Sequence, residues 1–226
     1  MLTEQVFVNA GDTLVIEPGS VVLGMSGEGR VETDVDVGFG VGSVRDVIYD
    51  VYPGALVVSR DAYLDADGMA DCPIQFSFLG DPLDGSVGVD VTGAWGGLAL
   101  CGRAQTNTLH LDMSFFGAPF FTSGVGTGED RIEGIVDLTG QDREVYGGDA
   151  DPSGSSGVLR HLSIRHGSTN LGWTQFGNGD ETDLLQLGAC GSGTVVEHLE
   201  LVASADDGLH ILGAVSYTHL TLPTIE

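Results

Sequence analysis

The sequence predicts an all-β chain in which short strands from successive coils stack into parallel sheets. Residues 158–164 read VLRHLSI, and 37 residues later residues 195–201 read VVEHLEL. A second pair of apolar runs, each closed by glycine, lies at 184–188 and 209–213 with an offset of 25 residues. Runs too short to bury their own apolar side chains, recurring in a constant order, are typical of stacked solenoids. The two offsets differ, so we expect 12 inserted residues within 167–182.

The composition favours strands and turns over helices. Of the 226 residues 36 are glycine, and Val, Leu, Ile and Thr occur in short runs. No segment of ten or more residues keeps a helical period without a glycine. We therefore expect few helices, in one β-helix domain that covers residues 1–213.

Strand-like runs mark the earlier coils. We expect the first coil at 6–24, with a Pro-Gly turn at 17–20, the second at 55–78, and the third from residue 95. Residues 25–54 and 103–157 lack the pattern and are predicted to be insertions.

The period of two along each strand predicts which side chains form the interior. Leu162 should point inward and stack on Leu199 of the next coil, whereas Ser163 should point outward. A charge at Leu199 should therefore prevent folding, and a charge at Ser163 should be tolerated.

The charge balance excludes some classes of partner. The chain has 33 acidic and 8 basic residues, a net charge of −25, and all of its basic residues are arginine. Such a charge repels nucleic acids and anionic membranes and favours divalent cations. No stretch is apolar enough to cross a bilayer, so we expect no transmembrane segment.

The three cysteines do not resemble a zinc site. Cys72, Cys101 and Cys190 are far apart and form no C-x-x-C motif. They fit either one disulfide with a free thiol or three buried thiols on strands.

The two ends of the chain depart from the pattern. Residues 214–224 read AVSYTHLTLPT and closely resemble the translation of a transposase adapter used in sequencing libraries. We therefore expect 214–226 to be a non-native tail. The first residues do not resemble a signal peptide, and strand-like residues begin at Val6, so we expect the native N-terminus to lie upstream.

Several segments together resemble a group of bacterial secreted or surface proteins, often called hypothetical lipoproteins, built on a right-handed parallel β-helix. The resembling pieces keep the family's order over most of 6–213: 11–19, 68–76, 95–98, 132–134, 146–149, 156–167 and 205–208. The resemblance implies a right-handed β-helix with loop insertions, export, and an extracellular or outer-surface location. It implies no reaction or substrate. The chain departs from the family in lacking a signal or lipid-attachment segment and in its Phe-rich stretch at 115–121.

Calcium is the ligand that the acidic turns favour, because it binds carboxylate and carbonyl oxygens in flexible loops. The sequence DADG at 65–68 begins like a calcium loop, and residues 125–132 approximate one copy of the calcium-binding β-roll repeat. Aspartates are also what ordinary turns contain, so a structural role in turns or solvated corners is the favoured interpretation. The candidate ligands are Asp65, Asp67, Asp130, Asp149, Asp151, Asp206 and Asp207.

The enzyme hypothesis is a calcium-assisted polysaccharide lyase or another carbohydrate-active enzyme. A lyase needs a base and a cation that neutralises the substrate carboxylate. Arg160, His161 and Arg165 lie in one strand, and His198 is expected to stack near His161. Stacked ion pairs between strands would use the same residues structurally.

The function that the sequence favours is non-catalytic. We expect an exported surface or adhesion-type scaffold that binds a glycan or a surface protein through its insertions. Trp95, Trp173 and the phenylalanines at 115–121 could stack on sugar rings, but packing in the core or in an insertion is the favoured interpretation.

Overall fold

The structure is a computed structural model. It describes residues 1–36, 43–106, 110–112, 120–122, 128–135, 137–148, 151–169 and 182–213. No helix occurs in these ranges, and none therefore is long and apolar enough to cross a membrane.

The strands are short and are grouped into successive coils. The first coil contains β1 (Gln5–Val8), β2 (Thr13–Val15) and β3 (Val21–Gly24), followed by a hairpin of β4 (Val31–Asp36) and β5 (Ser43–Ile48). The second contains β6 (Ala55–Val58), β7 (Tyr63–Asp67) and β8 (Ile74–Phe78). The third begins with β9 (Leu98–Cys101), continues through the hairpins β10 (His110–Asp112) with β11 (Phe120–Thr122) and β12 (Glu129–Arg131) with β13 (Val145–Gly147), and ends with β14 (Gly157–Arg165). The last strands are β15 (Leu185–Gly188), β16 (Val195–Val202) and β17 (Leu209–Leu212).

Equivalent strands of successive coils pair in parallel. One sheet has the order β1-β6-β9-β15-β17, so each strand contacts its counterpart one coil away. In the second sheet β14 pairs with both β7 and β8 of the preceding coil and with β16 of the following coil. The expected stack of coils is therefore present.

The repeat in the sequence corresponds to the pairing of β14 with β16. Leu162 lies opposite Leu199, and the whole pairing keeps the predicted offset of 37 residues. The predicted offset of 25 for the other pair is wrong by one residue, because Leu185, not residue 184, lies opposite Leu209. A shift of one residue would turn the inward Leu185 to the opposite face of the sheet, so the interior selects the observed register.

The interior between the two sheets is aliphatic and aromatic. Leu64, Phe76, Leu100, Leu162 and Ile164 are among its fully buried side chains. Trp95 also lies here, completely buried, rather than on a surface that could stack on a sugar. Its ring lies nearly parallel to Phe76, and its Nε1 donates a hydrogen bond to the carbonyl of Arg165 at 2.8 Å. Close approach by Trp95 explains Gly24, where a Cβ would lie 2.7 Å from the tryptophan.

A second apolar cluster covers the outer face of the five-stranded sheet. Ile132, Ile135 and Tyr146, from the segment 128–148, pack on Val57, Ala99 and other small side chains of that face. A Cβ at Gly188 would lie 2.6 Å from the Tyr146 ring, so this glycine allows the ring to lie against the sheet. We call residues 128–148 the roof segment.

The cysteines are all free thiols. Cys101 and Cys190 are buried, and Cys72 is half-buried. Burial raises the pKa of Cys190 to about 12 and the pKa of Cys101 well above its usual range.

Candidate functional site

Arg160 forms a row of alternating charges with carboxylates of the neighbouring coils. Its Nη1 lies 2.7 Å from Asp67 Oδ1, and its Nε lies 2.9 Å from Glu197 Oε2. The backbone register places these three residues side by side on β7, β14 and β16. The hydrogen bonds to Glu197 and Asp67 raise the pKa of the Arg160 guanidinium. This cation is therefore neutralised by carboxylates of the chain itself.

Arg165 and Glu200 form a second such contact, through Ser163. Arg165 Nη2 and the Ser163 hydroxyl both donate to Glu200 Oε2 at 2.6 Å, and Arg165 Nε donates to the same hydroxyl. The hydrogen bond from Ser163, followed by Arg165, lowers the pKa of Glu200. The tolerance of a charge at Ser163 stays a prediction, but the structure does not favour it for an acidic side chain. Ser163 is buried, and an acidic group there would face Glu200 directly across the strands.

His161 and His198 stack at a corner of the coil. Their ring centroids are 4.5 Å apart and the rings are nearly parallel, at 3°. Both residues have a positive φ, 49° for His161 and 55° for His198, and both are skipped in the pairing of β14 with β16. The backbone therefore turns at these residues.

The corner separates the residues of the lyase hypothesis. Residues 157–160 pair with β7, and residues 162–164 pair with the separate strand β8. Arg160 and Arg165 thus lie on opposite sides of the corner. His161 therefore stacks on His198 as expected, but Arg160 and Arg165 do not lie together beside this histidine pair.

The calcium candidates lie in several separate parts of the described chain. Asp65 and Asp67 lie in β7 rather than in a loop, and Asp67 pairs with Arg160. Asp130 lies in β12 and accepts a hydrogen bond from the backbone of Arg131. Asp151 accepts a hydrogen bond from Ser153 in a turn, and Asp149 lies outside the described residues, as do Trp173, residues 115–116 and the tail.

Asp206 and Asp207 lie in the turn before β17 and contact neighbouring loops. The amide of Asp206 donates to the Ser168 hydroxyl at 2.8 Å, and the amide of Asp207 donates to Asp183 Oδ1 at 3.2 Å. The second contact joins this predicted acidic pair to a group of side chains that sequence reasoning missed.

That group consists of Glu133, Asp183 and His210. His210 Nδ1 lies 2.7 Å from Asp183 Oδ2 and 3.4 Å from Glu133 Oε2. One donor atom from each of the three side chains lies within 4.8 Å of the others, the one such group of three found in the described ranges. The Asp183 side chain is only 1% exposed, whereas His210 and Glu133 are about one-third exposed. The cluster is thus anchored inside and open to solvent on one side.

The surroundings of the cluster make His210 a cation. Hydrogen bonds to Asp183 and then to Glu133 raise the pKa of His210 to about 10. Burial raises the pKa of Asp183, while its contact with His210 opposes that change. Contact with the two carboxylates therefore favours the protonated form of the imidazole.

The three residues come from distant parts of the chain. Glu133 belongs to the roof segment, Asp183 precedes β15, and His210 lies in β17. The only signal in the sequence is a polar residue beside or within each of two apolar runs, Asp183 before 184–188 and His210 within 209–212. Neither signal points to Glu133, which only tertiary packing brings near.

A cavity of about 400 Å³ lies elsewhere, between the first hairpin and the loops that follow β8 and β14. Its lining mixes apolar surface with hydroxyl groups and one guanidinium, from Ser26, Arg30, Tyr49, Thr92, Ser168 and Thr169. Such groups can form hydrogen bonds with a polar ligand.

Neither the curated proteins nor the solved structures contain a match. Residues 1–223 match the family described as a pectate-lyase-like β-helix domain. The match covers nearly all of the chain and agrees with the parallel pairing of strands from successive coils. The chain therefore belongs to the pectate-lyase-like β-helix domain family.

Proposed function

We propose that this protein is a non-catalytic, exported β-helix scaffold that binds a glycan or a protein partner through its insertions. Membership of the family fits a carbohydrate-binding or carbohydrate-active role in general. The observation that carries the non-catalytic form is the pairing of Arg160 with Asp67 and Glu197. A lyase needs a cation that is free to neutralise the substrate carboxylate, and Arg160 is occupied by two carboxylates of the chain.

The roof segment supports the same proposal. It buries the middle of the outer face of the five-stranded sheet under Ile132, Ile135 and Tyr146. A polymer could not lie directly on that part of the sheet. The cavity between the first hairpin and the loops beside β14 offers hydroxyl groups in a concave surface instead. We place glycan contact there.

The test combines binding and cleavage on one set of uronate polymers and neutral glycans. Affinity electrophoresis should show retardation by at least one glycan, with no ultraviolet absorbance from unsaturated products. Ser26→Trp should weaken the retardation, because Ser26 is exposed and lines the cavity. Ser192→Trp is the matched control, at an exposed serine in a turn outside the cavity.

Two results would overturn parts of this proposal. Unsaturated product that disappears in Arg160→Ala or His161→Ala would replace the scaffold with a lyase. If no glycan binds, the hypothesis of a carbohydrate ligand is wrong and the hypothesis of a protein partner is left. A pull-down with surface proteins would then test that hypothesis.

Another carbohydrate-active enzyme is the second candidate, favoured by the carboxylates of Glu133 and Asp183. Their oxygens lie within 4.8 Å of each other. Glycosidases that retain configuration use two carboxyl groups about 5 Å apart, one of them an acid with a raised pKa. Release of reducing ends that is lost in Asp183→Asn would support this candidate.

Calcium binding is proposed for the acidic turns, at the seven aspartates named above. If calcium stabilises the fold, EGTA should lower the melting temperature. An unchanged melting temperature in EGTA would end this proposal.

We also propose a right-handed winding, an extracellular or outer-surface location, and a foreign origin for 214–226. The winding follows from the strong preference of parallel strand connections for the right hand.

The family match includes most of the tail, through residue 223. Sequencing the gene beyond both ends of this reading frame tests both the export signal and the tail.

A further inference from the structure

We propose that Glu133, Asp183 and His210 form a binding site for one divalent transition-metal ion of the zinc class. Each residue supplies one donor atom: a carboxylate oxygen from Glu133 and from Asp183, and Nδ1 from His210. The three atoms lie within 4.8 Å of one another although they come from three separate segments. The proposal does not depend on the scaffold function.

The donor set selects the class of metal. Zinc takes imidazole nitrogen and carboxylate oxygen at about 2.0–2.2 Å, and sites with three protein ligands leave a fourth position to water or substrate. Ligand atoms around such an ion are a little over 3 Å apart, close to the observed separations of 2.7 and 3.4 Å. Calcium prefers six to eight oxygens and seldom uses imidazole. A nitrogen donor with two carboxylates therefore favours zinc, cobalt or nickel.

Hydrogen bonds outside the donor set hold the ligands in place. The Gln186 side chain donates to the Glu133 carbonyl at 3.0 Å and accepts from the Glu133 amide at 3.1 Å. The Asp207 amide occupies Asp183 Oδ1, which leaves Oδ2 directed at His210. His210 is fixed opposite Gln186 by the pairing of β15 with β17. Groups that hydrogen-bond to metal ligands in this way orient the ligands in known sites.

Burial and charge also favour a cation. Asp183 is almost completely buried, while the exposed parts of Glu133 and His210 leave an approach from solvent. Two carboxylates converge on one imidazole, and Asp207 adds negative charge nearby. Metal binding would place the ion between the same three atoms, in place of the direct contacts of His210 Nδ1 with the two carboxylates.

The experiment uses the full chain after treatment with a chelator. Cobalt(II) is added, visible absorbance is recorded, and the bound metal is counted by mass spectrometry. We expect one cobalt per chain, with d–d bands typical of low coordination number, and displacement of the cobalt by one equivalent of zinc.

Three variants identify the ligands. Glu133→Gln, Asp183→Asn and His210→Ala should each weaken cobalt binding by about 100-fold or more, since loss of a group that only hydrogen-bonds to a ligand already weakens binding by about 10- to 100-fold. Gln186→Ala should weaken it by about 10-fold. His198→Ala is the matched control, an exposed histidine outside the cluster, and should leave cobalt binding unchanged. Glu133→Gln alters a partly exposed side chain, so it keeps the test valid if the buried Asp183 variant does not fold.

The proposal fails if the wild-type chain shows no saturable cobalt binding. It also fails if His210→Ala and Glu133→Gln, both folded by circular dichroism, bind cobalt as the wild type does. A different result would indicate a calcium site with oxygen ligands only. Calcium binding would then be weakened by Glu133→Gln but not by His210→Ala, and zinc would not displace the calcium.

Discussion

Leu162 and Leu199 lie opposite each other in the interior but differ in burial. Leu162 is 1% exposed and lies between β8 and β16, whereas Leu199 is only half-buried because no described strand covers the far side of β16. Both inward positions were predictable from the alternation along the strand. Their different depths depend on the number of coils on each side, which is a property of the stack.

Leu162→Ala should destabilise the fold more than Leu199→Ala. Removing a fully buried leucine side chain costs about 3 kcal/mol, through lost burial and the cavity that remains. Truncating the half-buried Leu199 should reduce the free energy of unfolding by about half as much. Urea unfolding followed by circular dichroism measures both values, and equal losses would contradict the difference in burial.

Asp137→Asn should reduce stability in a way that depends on pH. The hydrogen bond from Arg143 holds the pKa of the buried Asp137 carboxylate far below its usual range. Because the folded pKa is lowered, the stabilisation is present above the unfolded pKa of about 3.9 and is lost as the pH falls below it. We expect a loss of about 2 kcal/mol at pH 7, as for a hydrogen bond to a charged group.

The loss from Asp137→Asn should shrink progressively as the pH falls below about 4. Urea unfolding at several pH values measures it. Asp142→Asn is the control: this carboxylate also pairs with an arginine but is mostly exposed, so its effect should be small. A loss at Asp137 that stays constant from pH 7 to pH 3 would contradict the lowered pKa.

The roof segment covers the outer face of the five-stranded sheet, so both faces of that sheet are buried in its middle. All four residues of β6 and of β9 are buried, because their inward side chains meet the interior and their outward ones meet the roof. Arg143, within the roof, places its guanidinium 4.0 Å from the Phe7 ring centroid. An insertion was predicted for 103–157, but its role as a cover was not, because nothing along the chain pairs it with β6 or β9.

Tyr146→Ala should open the outer face and expose Cys101 to thiol reagents. The Tyr146 ring and Cys101 lie in the same outer cluster, whereas Cys190 lies in the interior cluster. In the wild type we expect the half-buried Cys72 to react first and the other two thiols slowly. Tyr146→Ala should accelerate labelling of Cys101 and leave Cys190 protected.

Labelling by iodoacetamide, read by peptide mass spectrometry, measures all three thiols in one sample. Cys190 serves as the internal control against general unfolding. Equal acceleration at Cys101 and Cys190 would show that Tyr146 supports the whole fold rather than the roof.

The whole molecule carries a net charge of −25, which the described ion pairs neutralise only locally. Repulsion among the remaining carboxylates destabilises the compact state. Coils stacked along one axis bring the carboxylates of neighbouring coils close together, and the arginines at 160 and 165 interrupt these rows.

Sodium chloride should therefore raise the melting temperature. Salt screens the repulsion over a Debye length of about 10 Å at 0.1 M. We expect a rise of a few degrees between about 0.02 and 0.2 M salt, where about 1 kcal/mol corresponds to about 2–4 °C for a domain of this size. Scanning calorimetry measures it, and a fall in melting temperature would mean that the attractive ion pairs outweigh the net repulsion.

The sequence alone determined the all-β class, the coils, the 37-residue register and the inward positions of Leu162 and Leu199. The alternation of side chains along a strand is a local pattern, and the repeat between coils recurs at a fixed spacing. Both can therefore be recognised in the sequence. Tertiary structure alone decided the corner at His161, the roof and the approach of Glu133 to Asp183 and His210. A corner depends on a backbone angle that the side-chain pattern does not specify. The roof and the cluster join segments dozens of residues apart, and their contacts exist only after the coils have stacked.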